Sequence, residues 1–374
     1  MLRSAVITST LVFLLSCETL GTNLNDAVSS IKASFNTAHS SGAQNSTNKT
    51  YPQIIHDIDS TLSKYSPESS RILDDVAKSE RNSSKDQILL WYHPRGADER
   101  EDFYNTLDTA VHETVHKFTS LHFFNSASNN IQEQYLVEGK IIRVQHGESL
   151  IKTEVITGSL PPHLRTFRWE TYVSPNAAPS ANQHGIYGLL NEFNAYYRGL
   201  KSVYECFPYL SDLGGFENGD IAQSYIGVLA TDGSSAGAFY EFKYWILRYL
   251  LYTKDKAPAQ YRSIIRNKNF IYVFLYIHDH FLELVEEKIP RRVNELILEL
   301  NNAGINASLE DIRGYGTVFS FYKNSSVQTF VPLHDTAANT VRADMKGEQY
   351  STMLNELRDI LAKTRQEPIK DDTR

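Results

Sequence analysis

Cysteine is scarce in this chain: Cys17 and Cys206 are the only two among 374 residues. A small secreted scaffold stapled by disulfides is therefore excluded, and the fold must rely on its hydrophobic core. Methionine is almost as rare, with Met1, Met345 and Met353 making up the set. An excess of positive charge is also missing, since 37 Lys and Arg stand against 44 Asp and Glu, a formal net charge of −7 with both signs dispersed. Without a basic stripe or a Gly-rich phosphate loop, nucleic acid is not an expected partner. Hydrophobic runs are short. The N-terminal one covers residues 5–15, too few to span a bilayer, and the aromatic stretch at 239–252 is broken by Glu241, Lys243 and Arg248. No internal repeat is visible.

Aromatic residues are plentiful, with 22 Tyr and 18 Phe, many of them in residues 239–252 and 270–281. Their helical spacing reads as packing between long helices. Helical patterns cover about 53–80, 103–123, 186–205, 221–253, 258–285, 290–303 and 347–365. Residues 134–156 read as a β-hairpin turning near His146-Gly147-Glu148, and further extended runs lie near 87–92 and 317–330. The expected class is α+β, dominated by helix, with a small sheet or hairpin.

At the N-terminus, Arg3 precedes the apolar run and Ser16-Cys17 follows it, which is the layout of an export signal. Leu14-Leu15-Ser16-Cys17 resembles the lipobox of bacterial lipoproteins. That resemblance implies cleavage before Cys17, a lipid on that residue and a membrane-anchored protein of the cell envelope; ordinary secretion is the alternative. Residues 18–51 are rich in Ser, Thr, Asn and Gly and read as a flexible tether, with a short helix possible at 26–35. The organisation expected is a signal at 1–17, the tether at 18–51, a catalytic domain at 52–255 and a helical portion at 256–374 that belongs to the same domain or follows it.

The residues that carry chemistry are His112-Glu113-Thr114-Val115-His116, an HExxH pattern. It lies in residues 104–123, which contain no Gly or Pro and place Leu107, Val111, Val115, Phe118 and Leu121 at helical spacing. On a helix, residues at i and i+4 point the same way, so both imidazoles can hold one Zn²⁺. Glu113 beside them can take a proton from water that the metal acidifies. The helix is amphipathic, and at about 100° per residue the three polar residues fall opposite the Leu107 and Phe118 stripe. That face is either a metal site or a solvated surface.

Catalytic zinc takes three protein ligands and keeps one position open, so a third ligand has to come from elsewhere. His122 completes the metzincin spacing HExxHxxxxxH, but Thr119 stands where that group has a glycine to turn the chain, and no methionine is placed to make its methionine turn. Glu241 is acidic within an aromatic helix and can equally pair with Lys243 or Arg248. Glu192 lies at the margin of the apolar face formed by Leu190, Phe193, Tyr197 and Leu200, where a carboxylate can be buried against a cation. The stretch Asn191-Glu192-Phe193-Asn194-Ala195 resembles the gluzincin metallopeptidases, which supply a glutamate from a helix downstream of HExxH. Tyr187-Gly188-Leu189-Leu190-Asn191-Glu192 resembles the catalytic domain of the anthrax lethal factor type, which implies Tyr187 as an oxyanion stabiliser; Tyr196 is a second tyrosine available for that role.

The resemblance implies a zincin-like hydrolase with one Zn²⁺ per chain held by His112, His116 and Glu192, with Glu113 as general base and a peptide or protein as substrate. A non-catalytic envelope protein that uses its aromatic helices for binding and any metal structurally is the alternative. His278-Asp279-His280 reads as the polar end of a core element, because neighbours at i and i+2 diverge on a helix.

Overall fold

A proline, an asparagine and a two-residue turn each set an element boundary in this fold. The computed structural model describes residues 51–79, 103–121, 130–147, 150–157, 160–166, 168–175, 177, 179–217, 219–230, 235–312, 316–323, 326–332 and 336–364. Cys17, the segments 1–17, 18–50 and 87–92, and His122 lie outside them. Pro67 opens a new helix after Ser66, so the expected 53–80 helix is two, α1 (Tyr51–Tyr65) and α2 (Pro67–Ser79). The histidine helix is α3 (Phe103–Ser120), followed by strands β1 (Asn130–Val137) and β2 (Lys140–Gly147). Short helical turns lead to α4 (Gly185–Glu205), then α5 (Gly219–Ala230) and α6 (Ser235–Lys256), where a single 221–253 helix was expected.

The expected 258–285 helix is likewise interrupted. Asn267 accepts the backbone N–H of Phe270 at 3.2 Å and so starts a fresh helix. The two parts are α7 (Pro258–Arg266) and α8 (Lys268–Glu283), and α9 (Ile289–Asn302) follows. Three antiparallel strands, β3 (Asn306–Ile312), β4 (Gly316–Lys323) and β5 (Ser326–Pro332), pair in that order, with Phe319 and Phe321 buried. Helices α10 (Thr336–Asp344) and α11 (Glu348–Thr364) close the described chain. The protein is dominated by helix and carries two small antiparallel sheets.

The first sheet differs from expectation in register. β1 and β2 pair from Asn130 with Gly147 to Val137 with Lys140, so the turn is Glu138-Gly139 and not Gly147. Both turn residues have positive φ, 50° and 71°, as two-residue hairpin loops of this hand require. Residues 153–156, expected as the end of the hairpin, lie in one helical turn, Thr153–Thr157.

The described residues belong to one compact unit, so the helices after residue 255 share a core with the histidine helix. The aromatic runs do pack that core. Phe193 of α4 lies 6.0 Å from Phe239 of α6 and 5.4 Å from Phe281 of α8, measured between ring centroids. Helix α4 occupies the centre. It runs antiparallel to α3, since Glu192 meets His116 while Gly199 meets Asp108. Gly199 makes this approach possible: a Cβ there would sit 2.9 Å from the Asp108 carbonyl oxygen.

Candidate metal centre

Close packing of α4 on α3 changes the character of the histidine face. Sequence periodicity predicts one buried stripe on α3, yet the opposite side is covered too, and His112 retains only 9% of its accessible surface. Glu192 is equally withdrawn at 7%. With His116 partly exposed beside them, the His112 imidazole and the Glu192 carboxylate are thus removed from water together, which is costly unless they are paired or coordinate a cation.

Their donor atoms converge. His112 Nε2 and His116 Nε2 are 3.0 Å apart, and Glu192 Oε2 lies 3.6 Å from the first and 3.3 Å from the second. Ligand atoms held tetrahedrally around zinc at about 2.0–2.1 Å would be about 3.3 Å from one another. The observed spacing is close to that. Glu192 Oε2 is buried and has no hydrogen-bond partner. A carboxylate oxygen in that condition, aimed between two imidazole nitrogens, fits a metal ion.

Asn191, the neighbour of Glu192, faces His116 as well. Its Oδ1 accepts from His116 Nδ1 at 3.0 Å. That contact fixes the Nδ1–H tautomer of the neutral ring and leaves the Nε2 lone pair for a metal. The sequence offered Asn191 only as part of the Asn-Glu pair, with no sign of this role.

The electrostatics are those of a site prepared for positive charge. Burial opposes protonation of His116, but the Glu192 carboxylate, with help from Glu113, overrides it and lifts its pKa to about 9. His112 shifts the other way, well below the usual histidine range, because it is buried and stands beside His116 and Arg168. One proton therefore serves the pair. Glu113 is half-buried, and burial, with the Glu192 charge adding to it, raises its pKa above the usual carboxylate value. A raised pKa suits a group that must both accept and return a proton.

The two candidate tyrosines part company. Tyr196, one turn beyond Glu192, sets the edge of its ring against His112 at 4.4 Å between centroids, and its hydroxyl lies 2.8 Å from that of Tyr172. Burial raises the pKa of both hydroxyls, so they remain protonated at neutral pH. Tyr187 instead stacks on His146 of β2, with centroids 4.2 Å apart and planes 8° apart, and accepts from Asn267 Nδ2 at 3.3 Å.

Glu241 is not a ligand in this arrangement, nor does it pair with Lys243 or Arg248. It is 1% exposed and bound to Arg168, whose Nη1 donates to Oε2 at 2.6 Å and whose backbone N–H donates to Oε1 at 3.1 Å. Nothing in the sequence pointed to Arg168. His278 and His280 diverge, as their spacing predicts: His278 Nδ1 meets Asp279 Oδ1 at 2.7 Å, and His280 Nδ1 meets the Tyr276 carbonyl at 2.8 Å. Among the described residues, His112, His116 and Glu192 are the one group of three whose donor atoms lie within 4.8 Å of one another. No described helix is long and apolar enough to cross a membrane. Compared with known protein families, curated protein sequences and solved structures, the chain finds no match.

Proposed function

We propose that the protein is a zinc-dependent hydrolase of amide bonds, a peptidase with a zincin-like centre. The observation that carries this reading is the convergence of His112 Nε2, His116 Nε2 and Glu192 Oε2, with the Glu192 oxygen buried and making no hydrogen bond. Two nitrogens and one oxygen suit zinc and leave a fourth position open. When bound there, zinc supplies a Lewis acid that polarises a carbonyl and acidifies water.

The chain's own groups do the rest. Glu113 takes a proton from the attacking water as its oxygen bonds to the carbonyl carbon. It then delivers that proton to the nitrogen, the C–N bond breaks, and the amine leaves neutral beside the new carboxylic acid. In this reading the Tyr196 hydroxyl, protonated and carried on a ring beside His112, donates to the oxyanion that develops between those steps. A structural metal site would have no use for Glu113.

That residue supplies the test. Glu113→Gln keeps shape and hydrogen bonding but removes the base. Digestion of a broad peptide library should show cleavage by the zinc-loaded wild type and a loss of roughly 10²–10⁴-fold in the variant, with zinc content unchanged. Cleavage undiminished in the variant, or absent from wild type, would refute the reading and favour a binding protein with a structural metal.

A further inference from the structure

Buried Arg168 and Glu241, with the partly buried Tyr172, form a polar group against the metal centre, and the reaction outlined above uses none of them. Burying an ion pair such as Arg168 with Glu241 gains little stability over an apolar replacement, so its presence beside the site calls for a reason. The geometry points to one: we infer that Glu241, Arg168 and Tyr172 are positioning residues that hold the Tyr196 hydroxyl with its proton directed to substrate. This rests on the hydrolase reading.

Both neighbours of Tyr196 come from a single helical turn, Trp169–Tyr172, of which Arg168 is the N-cap residue. Glu241 fastens that turn to α6 twice, through the Arg168 backbone N–H and through its guanidinium. Fastened so, Arg168 holds its guanidinium carbon 4.8 Å from the centre of the Tyr196 ring, and Tyr172 holds its hydroxyl 2.8 Å from that of Tyr196. Phe242, from the same helix as Glu241, packs on both rings at 5.3 and 5.4 Å between centroids. The ring of Tyr196 is thereby confined between α6 and His112.

Each tyrosine hydroxyl has one proton and can accept from others. When Tyr172 donates to Tyr196, the Tyr196 proton is left for a third acceptor. The Arg168 cation beside the ring favours negative charge building on the Tyr196 oxygen, which makes its O–H a stronger donor. A developing oxyanion at the metal centre is such an acceptor. Tyr196 would touch the reacting atoms, while the other three act through it.

A double-mutant cycle on the zinc-loaded full chain tests this, using the best-cleaved library peptide and a phosphonamidate analogue of it. Tyr196→Phe should lower kcat about 10²-fold, as loss of an oxyanion donor does, and Tyr172→Phe about 10-fold, with KM and zinc content unchanged in both. Calorimetry should show the phosphonamidate weakened in parallel with kcat. In the Tyr196→Phe background, Tyr172→Phe should have no further effect, because its only route is gone. Arg168→Lys, which keeps the charge and the backbone contact to Glu241 but loses the planar guanidinium that holds Glu241 and lies over the Tyr196 ring, should behave like Tyr172→Phe; if it fails to fold, Tyr172→Phe carries the test alone, since it removes a single oxygen. Equal losses from Tyr172→Phe in both backgrounds, or no loss in either, would overturn the inference and leave the hydrolase standing. A wild type that binds zinc but neither cleaves peptides nor binds the phosphonamidate would overturn both.

Discussion

Raising the pH from 7 to 9 should tighten zinc binding about 50-fold, because the metal competes for His116 with one proton, which is half removed at pH 9. That ring lies 3.3 Å from the Glu192 carboxylate, which together with Glu113 lifts its pKa to about 9 against the opposing effect of burial. At pH 7 the metal-free site therefore holds His116 charged, and zinc must displace the proton. His112, shifted well down, has none to lose. Two pH units below the pKa correspond to about 2.7 kcal/mol at 1.36 kcal/mol per unit. The apparent affinity should climb about tenfold per pH unit and flatten above pH 9, as measured by competition with a chelator of known pH dependence. In the metal-free protein the linkage has the opposite sense. The folded pKa lies above the unfolded value of about 6.5, so the pair's contribution to stability is complete below pH 6.5 and is lost as pH rises through 9. A flat zinc affinity from pH 7 to 9 would refute the reasoning, since it would mean that Glu192 does not hold a charged His116.

Asn191→Ala should weaken zinc about 10–100-fold without unfolding the protein, as loss of a contact that orients a ligand does; unchanged affinity in the same chelator competition would show that the 3.0 Å contact to His116 Nδ1 orients nothing. Glu241→Ala should cost about 3–5 kcal/mol in urea denaturation, because it leaves the Arg168 cation buried without its carboxylate, while any folded protein still takes up zinc. Zinc lost from folded Glu241→Ala would make Glu241 a ligand after all.

Much of the metal centre can be read from the chain because helical spacing is local. His112 and His116 share a face by their separation alone, and Glu192 stands out as an acid on the edge of an apolar stripe. What surrounds them depends on tertiary packing and has no local signature. Arg168 and Glu241 lie 73 residues apart, and the covering of the histidine face by α4 follows from Gly199 meeting Asp108. The same holds for the elements. Long amphipathic helices such as α3, α4 and α11 announce themselves, whereas the break at Asn267 needs a capping contact that a periodic apolar pattern masks. The hairpin turn is hard to read from the chain because Glu138-Gly139 lacks the usual Asn or Asp in the first position, while Gly147 lies nearby as a competing turn residue. Strand β3, with Glu310 and Asp311 and an exposed Leu309, shows too little alternation to be seen.

Zinc content after loading and dialysis tests the central claim most directly. Elemental analysis of wild type should give about one equivalent per chain, as three ligands around one open position imply. The folded variants His112→Ala and Glu192→Ala should each retain almost none. Wild type that remains metal-free, or variants that hold as much zinc as wild type, would contradict the account.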